Sequence, residues 1–300
     1  MTPAGSGRRI TAFFSRRYAA RTPTASMRKL GPVARAAQKA GYVALHDPGS
    51  LDPGLLRRLH APEYVDGYLK GEEPHAGSAG WDWTSQIRDG VLAMNAGQLA
   101  AARTALAEGI AVNVAQGFHH ATPASGGCYC TFNGLALVAQ EFPDLTVAVL
   151  DADAHGGNGT GEFTERLPNL RNFTINGSAF GCPENEPSVV RTLREVSLDF
   201  APYEAALREA FDQVLSWKTD LMIYQAGVDP HEDDPLSRMG MTTGQMALRD
   251  RLVFEFTRRE KLPVFFVLAG GYQTPIRTKL VPLHLLTFQA AWEAYGQAAE

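Results

Sequence analysis

Asp151-Ala-Asp153-Ala-His155-Gly-Gly-Asn158 follows directly on the apolar run at 146–150. That run reads as a buried strand, and successive strand side chains point to opposite faces. Asp151, Asp153 and His155 therefore share one side at the carboxyl end of the strand, where open α/β sheets place their ligands. Asp153 and His155 need a third ligand from a neighbouring strand end. Asp229 is well placed for it, in Gln225-Ala-Gly-Val-Asp229-Pro at the end of a second apolar run. Two carboxylates and one imidazole suit Zn²⁺, and also Fe²⁺ or Mn²⁺, because oxygen-rich sets discriminate weakly. Singly, each Asp reads equally well as a helix cap or loop residue. Taken with His155, they read as a metal set.

His119 and His120 stand in a loop after the apolar run at 110–114. Adjacent histidines there can serve as general base and electrostatic partner. Asp151 faces the same site and can hold the Nδ1–H of one of them, fixing its tautomer and raising its basicity. Asn158 can do this for the other without adding charge. Tyr272 follows Gly270 and Gly271 at a further strand end, where glycines let the backbone approach closely. Its hydroxyl can polarise a carbonyl and stabilise an oxyanion, and a plain core tyrosine is the competing reading. Metal-activated water, a base and an oxyanion donor together read as hydrolysis of an amide or ester.

Strands expected at 10–15, 110–114, 146–150, 172–175, 221–225 and 264–268 alternate with helices expected at 27–40, 53–59, 62–69, 83–108 (one helix or two), 132–141, 159–167, 202–218, 243–259 and 283–297. Alternation of this kind predicts an α/β fold, a parallel sheet covered on both faces. Residues 1–8 read as a disordered lead-in and 9–300 as one domain without linker or repeat. The polar, Gly-rich 71–80 is the best candidate for a mobile loop. Arg8, Arg9, Arg16, Arg17 and Arg21 read as a solvated first turn in preference to a transit peptide.

The chain has 300 residues, 45% hydrophobic and 20% charged, which describes an ordinary globular protein with a sizeable core. A formal charge of −4 gives no basic footprint and argues against nucleic acid as a primary partner. No apolar stretch is long enough to span a membrane. Three cysteines are an odd count and no disulfide framework, so the cytoplasm is the expected compartment. Cys128 and Cys130 read as small buried thiols before a metal or redox pair.

At these residues the chain resembles the zinc-dependent histone deacetylase superfamily, which includes acetylpolyamine amidohydrolases and acetoin-utilisation proteins. The matching segments are Gly117-Phe-His-His-Ala121, Cys130-Thr-Phe-Asn133, the run from Asp151 to Gly159, Gln225-Ala-Gly-Val-Asp229 and Gly270-Gly-Tyr272. Weaker similarity at His60-Ala-Pro-Glu-Tyr-Val65 and in the last helix extends it over nearly the whole chain. Small bacterial and class IV members are the most similar. The resemblance implies an arginase/deacetylase fold, an open parallel sheet of about eight strands with the site at their carboxyl ends. It implies zinc on Asp153, His155 and Asp229, with Fe²⁺ as an alternative, and pairs His119 with Asp151 and His120 with Asn158. It also implies His120 as base, Tyr272 as carbonyl-polarising donor, and either histidine as acid for the leaving amine. A structural K⁺ on the carbonyls of Asp151, Asp153 and His155 with Thr174 follows from it too. The expected substrate is an acetylated lysine peptide, or else a small acetylated amine such as an acetylpolyamine. Oligomeric state is left open.

Two-manganese ureohydrolases share the implied fold but carry extra acids where this chain has Gly157 and Gly227, which argues for one metal. The expected substrate channel departs from the family pattern. Cys128 and Tyr129 stand where Gly-Phe is common, Cys182 precedes Pro183 where a second Phe is common, and Asn176 replaces a common His. Gly270 and Gly271 complete the expected channel. Leu236 stands where polyamine-selective relatives can carry an acid, although Glu232, Asp233 and Asp234 are near enough to charge the rim. That acidic run reads first as a solvated loop, and His231 as a surface residue.

Overall fold

The computed structural model describes residues 7–19, 22 and 24–296. Among these, eight strands form one sheet: β1 (Ile10–Phe13), β2 (Val43–His46), β3 (Ile110–Asn113), β4 (Val147–Asp151), β5 (Leu170–Asn176), β6 (Ser188–Thr192), β7 (Leu221–Gln225) and β8 (Val264–Val267). Their order is β2-β1-β3-β8-β7-β4-β5-β6, and every neighbouring pair is parallel. The central strands β3, β4, β7 and β8 are buried at every residue, as a parallel sheet covered by helices on both faces requires. Eight parallel strands in one sheet are what the resemblance to the deacetylase superfamily implies.

Strand order explains the site. β1 and β2 lie on one side of β3, and β5 and β6 on the far side of β4. β8 and β7 return to fill the gap between β3 and β4. The carboxyl ends of β3, β8, β7 and β4 are thus adjacent, and the loops that leave them carry His119–His120, Tyr272, Asp229 and Asp151–His155 respectively. Ligand sites in open sheets form where the winding reverses in this way.

β2 and β6 are not among the expected strands, and each has only a short apolar stretch, at 42–45 and 189–190. Both are edge strands, and their burial fades along their length, so neither shows a continuous or alternating pattern. The helix expected at 27–40 is divided into Ala25–Arg28 and Leu30–Lys39. Pro32 lacks the N–H that would bond to the Arg28 carbonyl, which weakens the ladder there. Residues 83–108 hold one helix, Ser85–Glu108, capped by the Thr84 hydroxyl and ended by Gly109 at φ +87°. The last helix begins earlier than expected, at Leu280.

The segment 71–80 is a packed run of turns. Ala76 and Ala79 are buried in it, and the Ala79 carbonyl accepts the Tyr129 N–H at 2.8 Å. The preceding helix packs closely on it, since a Cβ on Gly67 would lie 2.4 Å from the His75 ring. Of the lead-in 1–8, only Gly7 and Arg8 are described; the Arg8 N–H donates to the Gly296 carbonyl at 2.7 Å. Arg21 and Gln297 lie outside the described residues.

Candidate active site

Asp153, His155 and Asp229 each offer one ligand atom within a sphere where all lie less than 4.8 Å apart. His155 Nδ1 is 3.2 Å from Asp153 Oδ1 and 3.1 Å from Asp229 Oδ2. The outer oxygens are held by backbone: Gly270 N–H donates to Asp153 Oδ2 at 2.7 Å and Ala154 N–H to Asp229 Oδ1 at 3.1 Å. His155 Nε2 sits 3.2 Å from the Leu236 carbonyl, which can only accept, so Nε2 carries a proton. A carbonyl partner on the outer nitrogen is the usual support for an imidazole that ligates through the other.

Electrostatics point the same way. Burial and the charge of Asp153 push Asp229 up to about 8. Burial acts to lower His155, yet Asp153 and Asp229 outweigh it and hold the imidazole at about 11. Two fully buried carboxylates facing one nitrogen require a positive charge between them. A protonated His155 supplies it here, and a divalent cation would answer the same requirement, one nitrogen and two oxygens being a donor set it accepts. The residues present therefore fit a single metal ion. Gly157 and Gly227 beside it offer no side-chain ligand for a second. A Cβ at Gly157 would lie 2.6 Å from Asp151 Oδ2, and one at Gly227 2.7 Å from Asp229 Oδ1.

The two histidines are placed side by side, ring centroids 4.0 Å apart. His119 Nδ1 is 2.7 Å from Asp151 Oδ2, and His120 Nδ1 is 2.7 Å from Asn158 Oδ1. Burial lowers the pKa of His119, but the Asp151 carboxylate outweighs it and holds the group above its ordinary value. His120 is pushed down to about 3 by burial and by the charge of His119. The loop bearing both is pinned from behind. Asn133 caps the helix Gly134–Glu141 through Oδ1 and donates its amide to the Ala121 carbonyl and Thr160 Oγ1, both at 3.2 Å. His60 Nδ1 lies 2.9 Å from the Thr122 carbonyl, while its Nε2 accepts the Asn133 N–H at 3.1 Å.

Tyr272 faces the same centre, its ring 6.3 Å from that of His155 and nearly perpendicular. Burial, reinforced by Asp153 and Asp229, holds its hydroxyl protonated well above the ordinary phenol range. Asp234, expected in a solvated rim, is buried. Its Oδ2 accepts the Tyr272 N–H at 2.8 Å and its Oδ1 the Leu236 N–H at 3.0 Å, so it ties the segment at Tyr272 to the loop at Leu236. Asp233 pairs with Lys279 at 2.9 Å. His231 is buried as well, bonded to Thr243 Oγ1 at 2.9 Å, and is no ligand.

A cavity of about 390 Å³ opens above the metal set, walled by Cys128, Tyr129, Phe180 and Leu236, with His120, His155 and Tyr272 at its base. Cys182 is not brought to it. Its Sγ points inward, 3.5 Å from the Gly157 carbonyl and 3.9 Å from Ser188 Oγ, and Phe180 supplies the wall in its place. Phe180 bends there at φ +54°, a turn that the residue type does not announce. Cys128 and Tyr129 both take positive φ, +47° and +66°, which a glycine would adopt without strain. The bend lays Tyr129 on Trp81 at 5.9 Å, 27° from parallel. Gly270 and Gly271 lie beneath the channel: a Cβ at Gly270 would fall 2.2 Å from Asp229 Oδ2. Thr174 is buried on β5, in register with Asp151. Its Oγ1 accepts from Asn176 Nδ2 at 3.3 Å.

Two supporting cations have no local signature in the sequence. Lys29 is fully buried, and its Nζ donates to the carbonyls of Ala269 and Gly270 at 2.6 and 2.5 Å. Arg249, also fully buried, donates from Nη1 to the carbonyls of Gly227 at 2.9 Å and Ala152 at 3.3 Å. β4 and β7 stop pairing at Asp151 and Gln225, so Arg249 bridges the two chains just where they part to present Asp153 and Asp229.

A family model for the histone deacetylase domain matches residues 22–288. An uncharacterised protein of Picosynechococcus sp. is 31% identical over 84% of this chain and 86% of its own. Histone deacetylase 2 of Arabidopsis thaliana is 29% identical over 59% of this chain; the match spans 48% of that protein, about half its length. The solved structure of an acetylpolyamine aminohydrolase from Burkholderia pseudomallei superposes with a TM-score of 0.77, covering 95% of this chain and 99% of that one at 17% identity, a likeness of fold. With the family model running from the segment before Lys29 to the last helix, the chain belongs to the histone deacetylase domain family.

Proposed function

We propose that this protein is a mononuclear, metal-dependent amidohydrolase that removes an acetyl or related acyl group from an amine, with acetyl-lysine as the first substrate class. The observation that carries this reading is the meeting of Asp153, His155 and Asp229 at the base of one cavity with His120 and Tyr272. Zn²⁺ is the expected ion, with Fe²⁺ as the alternative, because the donor set is compatible with both. When bound, the ion supplies Lewis acidity, polarising the amide carbonyl and acidifying water.

The residues around it divide the remaining work. His120 donates its Nδ1–H to Asn158 Oδ1, which leaves the Nε2 lone pair free to take a proton from water. Burial and the charge of His119 keep that lone pair unprotonated before water arrives. His119, hydrogen-bonded to Asp151 and with its proton affinity raised by that carboxylate, steadies negative charge as it develops. A proton gained by the histidine pair is then available to the leaving nitrogen. Tyr272 stays protonated and donates its hydroxyl to the carbonyl oxygen as that oxygen becomes anionic. The apolar walls Tyr129, Phe180 and Leu236 exclude water from the methylene stem of the substrate.

K⁺ on the carbonyls of Asp151, Asp153 and His155, with Thr174 beside Asp151, belongs to the same reading, since the donors are oxygen only. Residues 9–300 acting as one domain, and residence in the cytoplasm with Cys128, Cys130 and Cys182 as free thiols, complete it. Acetylpolyamines are the alternative substrate.

Metal content of the purified protein, measured beside hydrolysis of acetyl-lysine peptides and acetylpolyamines, tests the proposal. About one divalent ion per chain and chelator-sensitive release of acetate are expected. Asp229→Asn should lose both. Two ions per chain, or turnover that survives a chelator, would sink it.

A further inference from the structure

Beside the catalytic channel lies a second cavity of about 300 Å³ that shares His155, Phe180 and Leu236 with it. The remaining wall is of a different character. It contains Arg194 and Arg238 together with Ser178 and Ser237. The loop after β6 brings one arginine and the loop before Thr243–Arg259 the other, joined where the Glu195 N–H meets the Arg238 carbonyl at 3.4 Å.

Neither arginine takes part in an ion pair among the described residues, whereas the nearby cations do. Arg191 is held by Glu209 and Glu184, and Lys279 by Asp233. Asp234 is turned inward on the N–H groups of Tyr272 and Leu236. Glu195 is exposed next to Arg194 and bridges to neither guanidinium. The chain is acidic overall, yet this flank of the channel mouth presents two free cations. Guanidinium groups take carboxylates through paired N–H donors, and serine hydroxyls can add to such a site.

We propose that this annex binds a carboxylate carried on the amine side of the substrate, close to the α-position of an acylated lysine. The inference rests on the amidohydrolase reading above and narrows it. The acyl group enters the channel between Tyr129 and Phe180, and the part of the substrate left at the mouth is anionic. Acylated amino acids and peptides with a free carboxylate near the acyl-lysine are the substrate class. Acetylpolyamines, which carry further ammonium groups to the same place, are poor substrates.

Two probes that differ only in charge test this: Nα,Nε-diacetyl-lysine and its C-terminal methylamide. The metal-loaded protein and an Arg194→Gln, Arg238→Gln double variant are compared for kcat/KM and, by calorimetry, for Kd. The wild type should favour the carboxylate by about tenfold at low salt, a modest figure because both cations are open to solvent. The preference should shrink as ionic strength rises. The double variant should lose it while turning over the methylamide as before. Equal handling of the two probes by the wild type overturns the annex, and so does a preference that survives the double substitution. Absence of turnover with a calorimetric preference that the double variant loses would retain the annex and overturn the acyl-lysine reading. Absence of both turnover and binding would overturn both.

Discussion

Asp153 and Asp229 are both buried and meet at the same nitrogen of His155, Nδ1, and the geometry leaves each surrounding residue a separate task. His120 and Tyr272 differ from the ligands in touching neither carboxylate, so they can be changed with the metal set intact. His120→Ala should lower kcat by about 10²–10⁴-fold, the usual contribution of a positioned base. Tyr272→Phe should lower it by about 10²–10³-fold, as loss of one oxyanion donor does. Metal content should stay unchanged in both, measured on the same preparations. Near-wild-type turnover in either variant would remove that residue from the mechanism. The types of these residues were readable in the sequence because strand alternation puts Asp151, Asp153 and His155 on one side. Phe180 was not, because a wall residue at positive φ carries no spacing signal. Cys182 was misplaced for the same reason, since the turn before it directs its thiol inward towards Gly157 and Ser188.

At the scale of elements, the site depends on loops that are tied down by buried polar side chains. His60 links the loop after His120 to the cap of Gly134–Glu141, and burial depresses its pKa to about 4. In the unfolded chain His60 takes up a proton below about 6.5, but in the folded protein only near 4. The unfolded state thus binds more protons in that window, and stability falls as pH drops through it, by about 3 kcal/mol for this group. Urea unfolding at pH 7 and pH 5 should show a larger loss for the wild type than for His60→Asn. Equal losses would show that His60 does not remain neutral. The other tie is the Arg249–Asp250 pair, in which Asp250 also accepts from Thr287 Oγ1 at 2.7 Å and from the Tyr224 hydroxyl at 2.5 Å. Asp250→Ala leaves a guanidinium buried without its counter-charge and should cost about 3–5 kcal/mol in urea unfolding. A cost below about 1 kcal/mol would mean that the helix Thr243–Arg259 can shift to hydrate Arg249.

For the whole molecule, the metal set joins β4 to β7 at the centre of the sheet, so an ion bound there stabilises the fold by mass action. Added Zn²⁺ should raise Tm in the wild type and a chelator should lower it. Asp229→Asn should show neither shift, and an ion-dependent shift in that variant would place the ion elsewhere. No helix of the described residues is long and apolar enough to cross a membrane. The sequence alone determined the class of sheet, the four central strands and the residues at their ends, because buried parallel strands are continuous apolar runs and their first polar residues mark the ligand edge. The tertiary structure alone decided the edge strands β2 and β6, whose half-buried side chains resemble loop. It likewise decided the burial of Asp234 and His231 and the roles of Lys29, Arg249 and the Arg194–Arg238 annex. Those depend on contacts between segments far apart in the chain, and no local pattern of residue types encodes a partner that only folding brings near.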